Sequence, residues 1–458
     1  MNRVCYIHPS SSDYASHWVI PAGIFGLVDL LRKQGLEVIG LNYPMELTLD
    51  KNFSIKSWLI ENISSFYLVD LHWFVHAKGA NDIIKVIKEV NPSSQIIVGG
   101  LTAGLFAHYI MEIIPEIDFI ITGDAESPMV DLLISLDNGK SLDKIANLVY
   151  RSNDRIEFSK ERFILSSFSD ICYSNIDFLY HAEHYLKYSY PRVFTDEKAF
   201  WLVNGRGCLY NCPACGGACE LIKSEFGRIG LLKRSVDTVL NDISRLESLN
   251  LDTIKLTHDI GSFGKEYYEK FFREYAVKNW KMKIYNEFWQ LPTIDFLEAA
   301  VQFGIDERLE LAVTVHTGDE CLRRKYGKFY CNSDLINTLE YCSNKGINIQ
   351  LFFSRYIPED SVTTLKSTYK LLEQVAGIGW GDNQLEVFYE PIMIDPCSEL
   401  SSHKTRREIF DEYINWHYTM RNEIFTKMVN KLTLKEQLIE RKIIDYINSI
   451  AYIKDGIR

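Results

Sequence analysis

The sequence lacks several features that would place it in a specialised class of protein. No stretch of 18 or more apolar residues occurs, so no membrane span is expected. Low-complexity tracts and long-period repeats are absent, and 47% apolar with 24% charged residues excludes collagen-like and wholly disordered chains. Basic residues are outnumbered, since 50 Lys and Arg against 61 Asp and Glu give a net charge of −11. Binding to a phosphate backbone depends on positive charge, so nucleic acid is not an expected partner.

The beginning of the sequence does not look like a secretory signal, because Met1-Asn2-Arg3 leads straight into a strand-like segment. We therefore expect a cytoplasmic protein. Ten cysteines are the feature of the composition that needs an explanation, and they stand at positions 5, 172, 208, 212, 215, 219, 321, 331, 342 and 397. A disulfide framework is not expected in a long chain without a secretory signal, which leaves metal binding or core packing.

The N-terminal third of the chain, residues 1–140, alternates strand-like and helix-like segments. Strands are predicted at 3–8, 36–41, 66–71, 95–98 and 119–122, with helices at 23–33 and 81–90. This alternation predicts a flavodoxin-like, doubly wound α/β domain whose ligands bind at the carboxyl ends of parallel strands. Residues 141–195 are less regular and are interpreted as a connector that contains a hairpin near Asn153.

The same alternation returns in residues 196–395. Six strands are predicted there, at 200–203, 253–256, 283–288, 309–315, 347–353 and 385–389. Six βα units favour a partial (β/α)6 barrel, which is smaller than the usual barrel of about eight units. The remaining region, 396–458, is predicted to be mostly helical.

The strongest motif is Cys208-Leu209-Tyr210-Asn211-Cys212-Pro213-Ala214-Cys215, which has the spacing CxxxCxxC and follows the first strand of the predicted barrel. Three thiolates on one loop can bind three irons of a [4Fe–4S] cluster and leave the fourth iron open to a substrate or cofactor. Gly216 and Gly217 allow the backbone to fold closely around such a group. The alternative is a zinc knuckle in a non-catalytic scaffold, which needs four ligands and would use Cys219 as the fourth.

The motif and its place in the chain resemble the radical S-adenosylmethionine (SAM) enzymes, whose CxxxCxxC loop follows the first strand of a partial (β/α)6 barrel. The resemblance implies a [4Fe–4S] cluster on Cys208, Cys212 and Cys215, SAM as a cofactor, and Tyr210 at the aromatic position of the motif. It also implies one-electron cleavage of SAM to methionine and a 5′-deoxyadenosyl radical, which takes a hydrogen atom from a small-molecule substrate. Such an enzyme needs an electron donor of the flavodoxin or ferredoxin type.

Candidate site residues follow the other strands of the predicted barrel. Thr314 and His316 lie on the fourth strand, where the resemblance implies contact with the SAM ribose, although related enzymes often have a Ser/Glu-rich stretch there. Arg355, after the fifth strand, is a candidate to bind the methionine carboxylate by a charge-assisted pair. Asp259 and Glu287 are candidate proton donors or acceptors in catalysis.

The N-terminal domain resembles the cobalamin (B12)-binding-type domain that precedes the barrel in one branch of these enzymes. The matching segments are Gln95 to Ala103, with Gly99-Gly100, and Ile117 to Glu126, with Gly123. The resemblance implies a cofactor edge that contains Gly99, Gly100, Thr102 and Gly123, and His72 is a candidate to line a corrin face. The D-x-H-x-x-G signature of a cobalt-ligating histidine is absent, although many enzymes of the branch bind cobalamin without it.

Two functions follow from these resemblances. The first is cobalamin-dependent radical methylation of an unactivated centre in a small molecule. The alternative keeps radical cleavage of SAM without cobalamin, with a degenerate N-terminal domain, and leads to dehydration, deoxygenation, decarboxylation or carbon–carbon bond formation. A non-catalytic zinc-binding scaffold is a remote third possibility.

Overall fold

The computed structural model describes residues 3–9, 18–152, 155–168, 170–188, 197–414, 428 and 431–450. The chain divides into two compact units, each built from separate stretches of sequence. Unit 1 consists of Met1–Pro191, Cys219–Leu232 and Asp395–Met420. Unit 2 consists of Arg192–Ala218, Lys233–Ile394 and Arg421–Arg458. In the described part of the chain, every helix is too short or too polar to cross a membrane.

Unit 1 contains a seven-stranded sheet with the order β2-β1-β3-β4-β5-β6-β7. Its strands are β1 Arg3–His8, β2 Glu37–Asn42, β3 Phe66–Asp70, β4 Gln95–Gly99, β5 Phe119–Ile121, β6 Leu148–Ser152 and β7 Arg155–Phe158. The first five pair in parallel in the order 2-1-3-4-5, which is the flavodoxin-like arrangement. Ile96, Ile97 and Val98 are all buried, as expected for a strand covered by helices on both faces. The predicted doubly wound domain is confirmed.

Helices connect these strands and cover the sheet. The α-helices of unit 1 are Gly23–Lys33, Tyr43–Leu49, Ile55–Glu61, Ala77–Val90, Leu101–Leu105, Ala107–Ile113, Glu126–Asp137, Ala182–Tyr188, Cys219–Phe226 and Arg406–Tyr413, and Phe74–His76 and Glu399–Ser401 are 3-10 turns. Several begin with a side-chain cap, and the helix that starts at Tyr43 is capped by Asn42.

Residues 141–195, interpreted from the sequence as a connector, add structure to unit 1. β6 pairs antiparallel with β5, and β7 pairs antiparallel with β6, so a hairpin extends the parallel sheet at its edge. The hairpin turn at Asn153 lies outside the described residues. The sequence signal was weak because β7 is mostly exposed and lacks the apolar run of a central strand.

Unit 2 contains six parallel strands in the order β15-β14-β13-β12-β11-β8. The strands that follow β7 in the chain are β8 Ala199–Leu202, β9 Gly205–Gly207, β10 Leu231–Lys233, β11 Thr253–Leu256, β12 Lys283–Phe288, β13 Leu309–His316, β14 Asn348–Arg355 and β15 Leu385–Pro391. Neighbours in the sheet follow one another in the chain, as in a (β/α)6 barrel. All six predicted strands are confirmed.

The α-helices of unit 2 are Val236–Leu246, Lys265–Val277, Ile294–Gln302, Glu320–Lys325, Asn332–Lys345, Val362–Ala376 and Leu434–Ile450, with 3-10 turns at Glu247–Leu249, Ile260–Phe263 and Asp306–Arg308. The helix Leu434–Ile450 packs against Val362–Ala376 and β15. The described residues beyond 396 are therefore largely helical, as predicted for the C-terminal region.

A close backbone contact inside unit 2 gives a stability prediction. A Cβ atom on Gly318 would lie 2.3 Å from the carbonyl oxygen of Ser367. Backbone cannot yield as a flexible side chain can, so we expect Gly318→Ala to lower the free energy of unfolding by about 3 kcal/mol. Gly379→Ala is the matched control, because no atom lies within 4 Å of the added Cβ. Chemical denaturation measures both variants, and equal stabilities would contradict the prediction.

Candidate cluster and cofactor sites

The cysteine motif forms an irregular loop directly after β8 and β9. Two of its sulfurs accept backbone hydrogen bonds, since Tyr210 N–H donates to Cys208 Sγ at 3.4 Å and Gly217 N–H donates to Cys215 Sγ at 3.2 Å. Backbone donors of this kind stabilise thiolate charge and help to set the potential of a cluster. Gly217 and Tyr210, both predicted from the sequence, therefore lie at the sulfur atoms, and Gly216 precedes Gly217 in the same loop.

The three sulfurs of the motif do not all lie within 4.8 Å of one another. Among the described residues, the one group that brings three potential ligand atoms within 4.8 Å of one another contains none of these cysteines. A tetrahedral Zn²⁺ with Zn–S bonds of about 2.3 Å would hold its sulfurs about 3.8 Å apart. In a cluster of several metals each thiolate binds its own iron, so the three sulfurs do not need to surround one ion. Three cysteines on one loop therefore match the ligand count of a [4Fe–4S] cluster with one open iron, whereas a zinc knuckle needs four ligands.

The segment Gly327-Lys328-Phe329 packs against the cysteine loop. A Cβ on Gly327 would lie 2.7 Å from Cys212 Sγ, and Gly327 has a φ of +83°, so both space and backbone conformation require glycine. The Tyr210 ring has two aromatic neighbours, with centroid distances of 6.0 Å to Trp289 and 6.3 Å to Phe329. Gln290 holds this segment in place by two hydrogen bonds, because its side chain donates to the Gly327 carbonyl and accepts from Phe329 N–H.

Lys328 brings a buried amino group to this loop. Its Nζ donates to the carbonyl oxygen of Trp289 at 2.9 Å, and the residue is 8% exposed. Burial lowers the pKa of Lys328, and this effect is opposed mainly by the negative charges of Cys212 and Cys208. No motif in the sequence pointed to this residue, since it lies between two helices and away from the strand ends.

We expect Lys328→Met to make a cluster bound at these cysteines harder to reduce. Reduction adds negative charge, which a protonated Lys328 amine stabilises, so its removal should lower the midpoint potential by on the order of 50 mV. Redox titration followed by electron paramagnetic resonance measures the shift. Lys325→Met is the matched control, because Lys325 is exposed and pairs with Glu359. An unchanged potential in Lys328→Met would show that its charge does not act on the cluster.

Asn204 joins the ends of β8 and β11 beside the cysteine loop. Its Nδ2 donates to the His258 carbonyl at 2.8 Å, and its Oδ1 accepts from His258 N–H at 2.8 Å. The His258 ring also bonds with the Gly207 carbonyl at 3.1 Å, and burial lowers the pKa of this histidine to about 4. His258 is therefore neutral at physiological pH and fixes the backbone that precedes Cys208.

Asp259 is buried next to His258. Its carboxylate accepts from Ser262 N–H at 3.2 Å and from Trp289 N–H at 3.3 Å. Burial raises the pKa of Asp259 to about 6, despite these hydrogen bonds. A carboxyl group with this pKa can hold or release a proton near neutral pH, which fits the predicted acid–base role. That role stays a prediction.

The residues predicted on the later strands lie in three different surroundings. His316 has a φ of +61° at a bulge in β13, and its Nδ1 lies 2.8 Å from Ser354 Oγ. The carbonyl of Thr314 accepts from the Tyr330 hydroxyl at 2.9 Å. Arg355 already has a carboxylate partner, since its Nε donates to Glu440 Oε1 at 3.0 Å. Their roles toward SAM stay predictions, and the pair with Glu440 leaves Arg355 less suited to bind a carboxylate ligand.

A second lysine lies among the side chains of neighbouring strands in unit 2. Lys255 Nζ lies 5.5 Å from the ring centroid of Trp201 and 5.3 Å from that of Tyr285. Burial lowers the pKa of Lys255 to about 7. The Tyr285 hydroxyl donates to Glu287 Oε1 at 2.9 Å, so Glu287 belongs to the same polar group. The sequence pointed to Glu287 but not to Lys255, because a lysine within a strand is usually exposed.

The predicted cofactor residues of unit 1 meet at the carboxyl edge of the sheet. Thr102 Oγ1 donates to the His72 carbonyl at 2.8 Å, and Leu101 N–H donates to His72 Nδ1 at 3.4 Å. Gly100 has a φ of +109°, and a Cβ there would lie 2.7 Å from His72 N. Gly99 pairs with Asp70 at the ends of β4 and β3, and Gly123 follows β5. The two glycine segments thus occupy the edge where a flavodoxin-like domain binds its ligand.

Comparison with known proteins shows which solved structures share this architecture. No model of a known protein family matches the chain. TsrM from Kitasatospora setae, a radical SAM methyltransferase solved with tryptophan and a SAM analogue, superposes with a TM-score of 0.68 at 14% identity, over 88% of this chain and 75% of its own. OxsB, a cobalamin-dependent radical SAM enzyme solved with aqua-cobalamin and SAM, gives 0.64 at 16% identity, over 99% of this chain and 58% of its own. The fold is that of radical SAM enzymes with an N-terminal B12-binding-type domain, which confirms the expected resemblance.

Two curated relatives match shorter stretches. An uncharacterized methyltransferase from Pyrococcus horikoshii is 24% identical over 168 residues, which are 36% of this chain and 33% of the relative. The anaerobic magnesium-protoporphyrin IX monomethyl ester cyclase of Synechocystis is 26% identical over 130 residues, 28% of this chain and 24% of the relative. The matches thus span about a third and a quarter of the lengths of these two relatives.

Proposed function

We propose that the protein is a radical SAM enzyme that methylates an unactivated centre of a small molecule. The observation that carries this proposal is the loop of Cys208, Cys212 and Cys215, which follows the first strand of a six-stranded parallel sheet. A [4Fe–4S] cluster bound there would supply one electron for reductive cleavage of SAM. The electron would come from a flavodoxin- or ferredoxin-type protein.

The residues around the loop have separate tasks in this proposal. Lys328 and the N–H groups of Tyr210 and Gly217 stabilise negative charge at the sulfurs. The rings of Trp289 and Phe329 lie next to the Tyr210 ring of the loop. Asp259 can donate or accept a proton at its carboxylate near neutral pH. Thr314 and His316 stay the candidates for contact with the SAM ribose.

Cobalamin binding by unit 1 is the second part of the proposal, and a bound cobalamin would supply a carrier for the methyl group. The Gly99-Gly100 turn lets backbone approach a ligand closely. Burial lowers the pKa of His72 to about 4, so its ring is neutral. Since Nδ1 accepts from Leu101 N–H, the proton of the neutral ring lies on Nε2. The Nε2–H group of His72 would therefore donate a hydrogen bond to a corrin, and this protonated nitrogen would not bind cobalt.

Anaerobic purification from cells supplied with hydroxocobalamin, followed by incubation with SAM and reductant, tests the proposal. Corrinoid absorption together with 5′-deoxyadenosine and S-adenosylhomocysteine supports cobalamin-dependent methylation. 5′-Deoxyadenosine alone, without bound corrinoid, supports the alternative of radical chemistry without cobalamin. Zinc in place of iron and sulfide would overturn both. The cytoplasmic location and the absence of a nucleic-acid partner stay predictions.

A further inference from the structure

Three metal-binding side chains converge in unit 1 outside the residues assigned above. His8 ends β1, Asp70 ends β3, and His76 ends the 3-10 turn Phe74–His76. β1 and β3 are parallel neighbours, so their carboxyl ends lie side by side. One ligand atom from each residue lies within 4.8 Å of the other two, and this is the one such group among the described residues. The three residues are 0%, 3% and 2% exposed.

The carboxylate of Asp70 is satisfied on one oxygen only. Oδ1 accepts from the Tyr6 hydroxyl at 2.6 Å and lies 2.8 Å from His8 Nδ1. Within the described residues, Oδ2 has no hydrogen-bond partner, although it is fully buried. A buried carboxylate oxygen without a donor is costly, and the usual solutions are a bound water, a proton or a cation. The second oxygen thus points to a ligand that the protein atoms do not supply.

The donor set indicates which ligand this is. Two imidazoles and one carboxylate bind first-row divalent cations, and three protein ligands leave further coordination positions open. The His8 and His76 rings are nearly perpendicular, at 83°, with centroids 4.9 Å apart, so the rings do not stack face to face. The Tyr6 hydroxyl donates a hydrogen bond to the Asp70 carboxylate. In known metal sites, an outer hydrogen bond of this kind orients the ligating carboxylate.

We propose that His8, Asp70 and His76 bind a divalent transition-metal cation of the Zn²⁺ type. The ion shares none of its ligands with the cysteine loop or with the residues proposed to contact cobalamin. It joins β1, β3 and the turn that follows β3, and so holds the segment Leu71–Val75, which contains His72. Its role is to fix this segment at the ligand edge of the sheet.

The test uses the full chain with Cys208, Cys212 and Cys215 replaced by alanine, because those thiolates would bind the probe. The chain is first treated with a chelator, and Co²⁺ is then added as the metal alone. We expect one Co²⁺ per chain, with d–d absorption bands of a nitrogen- and oxygen-ligated site that disappear when Zn²⁺ is added. We also expect Zn²⁺ to raise the thermal unfolding midpoint by several degrees.

Asp70→Asn and His76→Gln should each weaken Co²⁺ binding by more than tenfold. His181→Gln is the matched control, because His181 lies in the same unit and pairs with Glu46 at 3.0 Å. Circular dichroism verifies that the variants fold. If a variant does not fold, zinc analysis of the wild-type chain with its iron reconstituted decides the question, with one Zn²⁺ per chain expected. Two results would overturn the proposal and leave only a hydrogen-bond network. One is a folded protein that binds no stoichiometric Co²⁺ or Zn²⁺, and the other is Co²⁺ binding in Asp70→Asn and His76→Gln as tight as in the chain without these substitutions.

Discussion

Replacement of Cys212 by serine should remove almost all bound iron and sulfide from the protein. Cys212 is the central ligand of the CxxxCxxC loop, and its sulfur is the one that contacts Gly327. Production of 5′-deoxyadenosine should fall by about three orders of magnitude or more, because the electron for SAM cleavage would no longer be delivered. Iron and sulfide analysis and mass spectrometry of the nucleoside product measure the two effects.

Cys342→Ser is the control for this loss. Cys342 is fully buried in the helix Asn332–Lys345, and burial raises its pKa to about 12, so it is an inert core thiol. Its replacement should cost some stability but should leave the iron content unchanged. Equal iron in Cys212→Ser and wild type would refute the cluster assignment, and the same loss in both variants would point to unfolding.

Gly327→Ala should also impair the cluster, although it changes no ligand. The added methyl group would lie 2.7 Å from Cys212 Sγ, so either the loop or the sulfur must move. Changes next to metal ligands typically cost about 10- to 100-fold in metal affinity, and we expect a loss in this range. Competition with an iron chelator after anaerobic reconstitution measures it.

The matched control for Gly327→Ala is Gly346→Ala. Both glycines have positive φ, +83° and +72°, so alanine suffers similar backbone strain of about 1–2 kcal/mol at either site. No atom lies within 4 Å of a Cβ on Gly346, whereas Gly327 faces the sulfur. A difference in iron retention between the variants therefore reports the contact with Cys212. Equal retention would show that the loop relaxes without disturbing the site.

The repeating part of the fold could be predicted from sequence because its signals are local. Strands such as Thr253–Leu256 are short apolar runs bounded by polar residues, and they lie between helices that have apolar faces. The cysteine loop is also local, since its three sulfurs lie within eight consecutive residues. β6 and β7 were less evident because an edge hairpin needs little apolar surface, and its pairing depends on a sheet formed by distant residues.

The surroundings of the sites could not be predicted because they depend on tertiary contacts. Lys328 lies more than 100 residues beyond Cys215 in the chain and reaches the cysteine loop through the packing of its segment. Asp70 and His76 meet His8 only because β1 and β3 are neighbours in the sheet while β2 lies outside them. A pattern within one segment cannot reveal such groups, since register and strand order decide which side chains meet.

The discontinuous composition of unit 1 has a consequence for its synthesis on the ribosome. The helix Arg406–Tyr413 belongs to this unit, and Phe410 packs on Phe106, with ring centroids 5.6 Å apart. Arg406 also donates to the carbonyl oxygen of Leu105 at 2.9 Å. This part of the core cannot be completed until about 300 further residues have been translated. The nascent domain therefore carries an uncovered apolar surface through most of elongation, which makes it a natural substrate for chaperones that hold partly folded chains.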